Sequence, residues 1–156
     1  MIEFDEWRTA VADVDVGAVD DADVGGLLLD LYRFGNALDA CWLRFVARLD
    51  DSELWRADGA PSAVAWLRGQ LRLTGAAASE ALSISRALPV LPACAEAFRL
   101  GRISLAHVRA VVPAVAPSRM RSIGTAEAIF ARSATWLDAR QLGRAVRTWM
   151  QLADEN

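Results

Sequence analysis

VGGLLLDLYRFGNALDACWLRFVARL, residues 24–49, is the stretch that decides the fold class. Leu27, Leu31, Phe34, Leu38, Cys41 and Phe45 recur at alternating spacings of four and three, the seam of a coiled coil or a long bundle helix. Leu28, Trp42, Val46 and Leu49 widen that seam into a second apolar stripe. Asp30, Arg33, Asp39 and Arg44 interrupt the run and argue against a membrane span. A helix so apolar around its circumference must be covered on two sides, either within one bundle or by a second copy of the chain. Leu28, Trp42, Val46 and Leu49 are the candidate residues for a homodimer interface.

The rest of the chain continues the helical theme. Alanine, the best helix former because it loses no side-chain entropy, is abundant, and β-branched residues occur singly instead of in alternating runs. The 156 residues suit one domain with a real core. A hydrophobic content of 54% and a mean hydropathy of +0.20 are high for such a domain. No basic and apolar leader follows Met1, and no apolar run reaches the roughly 20 residues needed to cross a bilayer. Two well-separated cysteines, Cys41 and Cys94, fit buried thiols in a reducing compartment. A cytoplasmic protein without a membrane partner is the resulting expectation.

"IEFDEWRTAVADV" predicts a short N-terminal helix with Phe4, Trp7 and Val11 on one face, followed by an Asp-rich linker. Pro61 suits the first turn of a helix running through "PSAVAWLRGQL". A break at Thr74-Gly75 leads into "AAASEALSISRAL", and Gly101 stands where a helix C-terminal cap belongs. A helix over about 104–115 follows, and the next presents Met120, Ile123, Ile129 and Phe130 to the core. Asp138 with Gln141 three residues on forms a capping box for the last helix. The sum is an all-α bundle of about eight helices in a single domain over residues 1–156, with one long helix at about 24–49. Short helices between Ala63 and Val112 make a helix-turn-helix-like region.

The chemistry-bearing residues are few. A zinc site needs three or four converging Cys, His or carboxylate ligands, and this chain has one His and two Cys. Neither a metal nor a cofactor is expected. His107 has Ser104 nearby but no acidic partner to complete a nucleophilic arrangement. No phosphate-cradling Gly-rich loop occurs. The local sequence instead assigns a structural role: Gly101 ends one helix, Ser104 caps the next, and His107 occupies the third position of a capping box.

Charge is unevenly divided. All 17 basic residues are Arg. Residues 1–58 carry 14 acidic and 5 basic side chains, whereas residues 59–156 carry 6 acidic and 12 basic. Such asymmetry marks either a nucleic-acid surface or an acidic helix packed on a basic one.

The segments "SAVAWLRGQLRLTG", "SRALPVLPACAEAFRLGRISLAHVRAVV" and "TWLDARQLGRAVR" resemble the domain of unknown function 222, the 13E12-repeat family. The likeness covers about residues 22–150, and its most specific element is LP followed by G-x-[IL]-S-x-x-H. The resemblance implies a helical domain that precedes an HNH nuclease module, and hence work on DNA. No HNH motif occurs in this chain, so nuclease activity would belong elsewhere and the chain itself is expected to be non-catalytic. Ala76-Ala77-Ala78 also replaces the serine with which the family often opens the helix after the Thr-Gly turn, which is expected to weaken a cap there. Residues 86–109 also look like the end of the helix-turn-helix region of ParB-like partition proteins. The expected function is therefore a DNA-binding or targeting module, with Arg68, Arg72, Arg86, Arg102 and Arg109 as candidate phosphate contacts. The alternative is a homodimerisation or protein-interaction module built on the 24–49 helix.

Overall fold

Four short-range hydrogen bonds set where most of the later helices begin. In the computed structural model, which describes residues 1–155, Ser62 Oγ accepts from the Ala65 N–H at 3.1 Å and Thr74 Oγ1 from the Ala77 N–H at 3.1 Å. Ser104 and Asp138 cap in the same way, satisfying amides that the first turn of a helix leaves free. Two expectations are corrected by this chemistry. Pro61 lies just before the Ser62 cap, outside the helix. The Ala76-Ala77-Ala78 stretch does not lack a cap, because Thr74 supplies it one position before the helix.

The elements are helices throughout, with no strand among the described residues. They are α1 Phe4–Ala12, α2 Asp21–Asp51, α3 Ala63–Leu71, α4 Gly75–Ala87, α5 Pro92–Arg99, α6 Leu105–Val111, α7 Met120–Ser133 and α8 Ala139–Asp154. Short 3₁₀ turns join several of them, including Leu54–Asp58 around Trp55 and Leu88–Val90 before α5. The all-α expectation with about eight helices holds, and the long helix extends slightly beyond its expected ends. No single helix among the described residues is long and apolar enough to cross a membrane.

By their internal contacts the residues divide into two units, Met1–Leu31 and Tyr32–Asn156. The first contains α1, a 3₁₀ turn over Val16–Ala18 and the opening turns of α2. No residue of it is buried. In it Phe4 and Trp7 meet edge to face at 6.4 Å between ring centres.

Among the described residues the buried hydrophobic side chains all lie in the second unit, in two clusters. The larger is centred on Leu43, Leu91, Phe98, Val108, Ile123 and Leu142, contributed by α2, α5, α6, α7, α8 and the turn before α5. The smaller comprises Val46, Ala63, Leu67, Ala78 and Leu82, from α2, α3 and α4. Full burial of each large side chain stabilises by about 1.5–3 kcal/mol relative to exposure. Phe130 of α7 and Trp149 of α8 stack edge to face at 5.5 Å.

Two helical faces differ from the sequence expectation. Within the second unit α2 turns Asn36, Ala40, Leu43 and Val46 to the core, whereas the expected seam residues Leu38 and Phe45 are exposed, as is Trp42. Small Ala40 on the inner face lets neighbouring helices approach closely, which a Leu or Phe there would prevent. On α7, Ile123 and Phe130 are buried as expected, but Met120 and Ile129 are exposed. The inner face is Ile123, Ala126, Glu127, Phe130 and Ala131, spaced three, one, three and one. Met120 is the first residue of the helix, at its open end, and Ile129 falls on the opposite side.

Candidate nucleic-acid interface

The turn between α5 and α6 carries the structural trio that the sequence singled out. Gly101 has φ +72°, a left-handed conformation that side chains with a Cβ rarely adopt. A Cβ at this position would also stand directly on the Arg33 carbonyl oxygen of α2. The Gly101 carbonyl in turn accepts from Asn36 Nδ2 at 3.3 Å, which explains a buried Asn on the inner face of α2. Three residues later, Ser104 Oγ accepts from the His107 N–H, and His107 Nδ1 accepts from the Ser104 N–H at 3.1 Å. The capping box is complete. With Nδ1 accepting, Nε2 donates to the Leu137 carbonyl at 2.8 Å. His107 thus binds the start of α6 to the residue before the Asp138 cap of α8. Both ring nitrogens are used by the fold.

The five arginines chosen from the sequence fall into two groups. Arg86 donates a two-pronged pair of hydrogen bonds to Asp50, at 2.7 and 2.9 Å, and Arg109 does the same to Glu80, at 2.9 and 3.0 Å. Their forks are filled by carboxylates 36 and 29 residues away in the chain. The Asp50 bond also raises the Arg86 pKa above its ordinary value. Arg68, Arg72 and Arg102 are exposed and make no ion pair among the described residues. Arg72 takes a left-handed conformation, φ +56°, closing α3.

The candidate dimer residues also separate. Val46 is buried in the smaller core cluster and is unavailable to a second copy, which corrects its assignment; Leu49 packs partly against that cluster. Trp42 and Leu28 are exposed. In the second unit Trp42, Phe45, Leu49, Leu54, Trp66 and Leu71 line an apolar groove of about 270 Å³.

Two buried charged groups were missed by sequence reading. Glu127, 2% exposed in the middle of α7, accepts from the Ala93 and Cys94 N–H groups at 3.0–3.1 Å. It therefore caps α5 from another helix, where no local side chain does so. Its signal was a lone acid between Ile123 and Phe130, on an otherwise apolar face. Beside it, burial and then the Glu127 charge push the Cys94 thiol up to about 12, far from a reactive thiolate. Arg119 is buried and donates to both Asp154 oxygens at 2.8 Å and to the Pro113 and Ala114 carbonyls. Its signal was weaker, since the partner acid lies 35 residues away.

The other feature missed from sequence is on α8. Arg140, Arg144 and Arg147 follow at spacings of four and three and so share one helical face, opposite Leu142, Val146 and Trp149. All three are exposed and form no ion pair among the described residues. Among those residues, no group of three or more His, Cys, Asp or Glu could hold a metal ion.

A family model described as "Domain of unknown function (DUF222)" matches residues 27–156. No curated protein matches the chain. No solved structure matches it either.

Proposed function

The chain belongs to the family described as a domain of unknown function (DUF222), and from that premise we propose that it is a non-catalytic DNA-binding module. The observation that carries this reading is the population of exposed arginines that form no ion pair among the described residues, in a region of net positive charge. Arg68, Arg72 and Arg102 belong to it, and α8 adds three more. An arginine free of carboxylates keeps its planar fork for phosphate. Arg86 and Arg109 are withdrawn from the set of primary contacts, because each would have to leave a two-pronged carboxylate partner. The HNH module implied by the family resemblance would supply catalysis from outside this chain.

Duplex binding driven by released counterions weakens steeply as salt rises. The test is a gel-shift or anisotropy titration of the chain with a 20-base-pair duplex at low salt, repeated at increasing salt. Binding with a steep negative salt slope is expected. No complex at tens of micromolar protein and low salt would refute the reading.

A second reading has its own support. The exposed Trp42 and Phe45, with Leu54 and Leu71 at the same groove, form an apolar surface on the second unit that suits self-association. Light scattering of the whole chain tests it: a strict monomer throughout the micromolar range would remove it.

A further inference from the structure

Helices α6 and α8 pack together and leave a groove of about 550 Å³ between them, entirely within the second unit. Its floor is made of small side chains, among them Ala106, Ala110, Ala139 and Gly143. Gly143 is buried, and a Cβ there would lie 3.4 Å from Arg147 Nη1 and 3.7 Å from Ala110 Cβ. Both are ordinary van der Waals distances, so the Arg147 guanidinium and Ala110 lie directly against Gly143 at the groove surface. Arg140 and Arg147 stand on the α8 wall and Arg109 on the α6 wall. Arg144 lies on the same face of α8, one turn from each. We infer that this groove and the arginine face of α8 beside it form a binding site for the phosphodiester backbone of nucleic acid, with Arg140 and Arg147 in the groove and Arg144 at its margin as contacts. The inference rests on the DNA-binding reading above and gives it a location that the sequence did not suggest.

Three arguments lead to phosphate. The first is charge that the fold does not use. Arg109 is neutralised by Glu80, and its charge also acts on Asp39, whose carboxyl is pushed up by burial and lowered by that arginine. The acids bounding α8 are engaged too: Asp138 accepts from the Gln141 N–H and Asp154 from Arg119. Among the described residues that leaves three α8 arginines that form no ion pair. Arg44 and Arg48 of α2 are also unpaired, but they share their helix with Asp39, Asp50 and Asp51.

The second argument is position. A helix N-terminus disfavours cations and its C-terminus favours them. Helix α8 reverses this order, with Arg140 in its first turn and no basic residue in its last. Asp154 near the end is explained by Arg119, whereas nothing in the fold explains Arg140. A residue placed against local preference without a structural partner points to a ligand. The third is spacing. From Arg140 to Arg144 the helix rises about 6 Å and from Arg144 to Arg147 about 4.5 Å, so three long guanidinium side chains line up in a row along which an extended polyanion can run. A floor of small side chains lets a sugar-phosphate chain come near the helix surface.

The test compares three proteins by anisotropy on the same labelled 20-base-pair duplex at several salt concentrations: the wild-type chain, R140Q/R144Q/R147Q, and R44Q/R48Q as a control outside the groove and outside the set of candidate contacts. Melting curves establish that the variants fold, as exposed substitutions should. The triple variant should bind at least about tenfold more weakly at low salt, and its salt slope should be shallower by up to about three, near 0.9 for each lost phosphate contact. The single variant R140Q should lower the slope by about one. A folded triple variant that binds with wild-type affinity and slope overturns the groove and leaves the DNA-binding reading standing. No binding by the wild type overturns both. Displacement of the duplex by a poly-glutamate peptide as effectively as by unlabelled DNA would overturn the assignment to phosphate.

Discussion

Met1–Leu31 and the stretch from Leu91 to Leu142 are both rich in apolar residues, yet they use them in opposite ways. In the first, Leu27, Leu28, Leu29 and Leu31 follow almost without interruption and all are exposed. In the second, Ile103, Val108, Ile123 and Leu142 are buried, and polar groups are drawn in with them. Glu127 caps α5, His107 bridges α6 to the start of α8, and Gly101 lies against α2. The difference teaches that stability here depends on how apolar side chains are framed by satisfied polar groups, more than on how many are present. Burial of a backbone amide without a partner costs about 1–3 kcal/mol, more than the roughly 0.8 kcal/mol that burying one methylene gains.

Substitutions in the framed region should therefore be severe and those in the first unit mild, with a graded series between. Gly101→Ala heads the series, because it combines a left-handed backbone with a collision on the Arg33 carbonyl. A loss of about 3–5 kcal/mol is expected in denaturant unfolding; an unchanged midpoint would break the comparison at its strongest point. Glu127→Ala should cost about 3 kcal/mol, since it leaves the Ala93 and Cys94 amides buried without an acceptor. Glu127→Gln, which keeps one carbonyl oxygen, should recover part of that in the same assay.

The third prediction concerns alkali. The Cys94 thiol is pushed from 9.0 to about 12 in the folded chain, so the unfolded chain loses this proton first. The Cys94 contribution is fully present below about 9 and is lost as pH rises toward 12, with a slope of about 1.4 kcal/mol per pH unit. Urea titrations at pH 8, 9.5 and 10.5 should show it, and Cys94→Ala should flatten the slope; an equal slope in both proteins would contradict the assignment. His107→Gln should cost only about 1 kcal/mol, because Gln at the third position can still accept from the Ser104 N–H while the Leu137 bond is lost. Leu28→Gln should change monomer unfolding by less than about 0.5 kcal/mol. A larger destabilisation at Leu28 would show that the first unit is framed as well.

What could be read in the sequence was short-range. The boxes at Ser104 with His107 and at Asp138 with Gln141 depend on residue types three positions apart, and both form. The helical class follows from periodicity and composition, with the same local logic. Which face of α2 meets the core could not be read, because its apolar positions cover more than one stripe and only the neighbours decide between them. The arginines failed for a related reason. Asp50 and Glu80 capture Arg86 and Arg109 across distances in sequence that carry no local sign. The α8 arginines were visible as a stripe opposite Leu142 and Val146, but only the fold places α6 beside them to make a groove.

The Glu127 cap also has a consequence for the order in which the chain folds. Helix α5 has eight residues, too few to be stable alone in water. Its first amides find their acceptor more than thirty residues later. While a nascent chain has emerged only as far as α6, α5 has no acceptor for those amides and stays open. Its consolidation belongs to the docking of α7, so the middle of the chain becomes ordered only after a segment that follows it has been made.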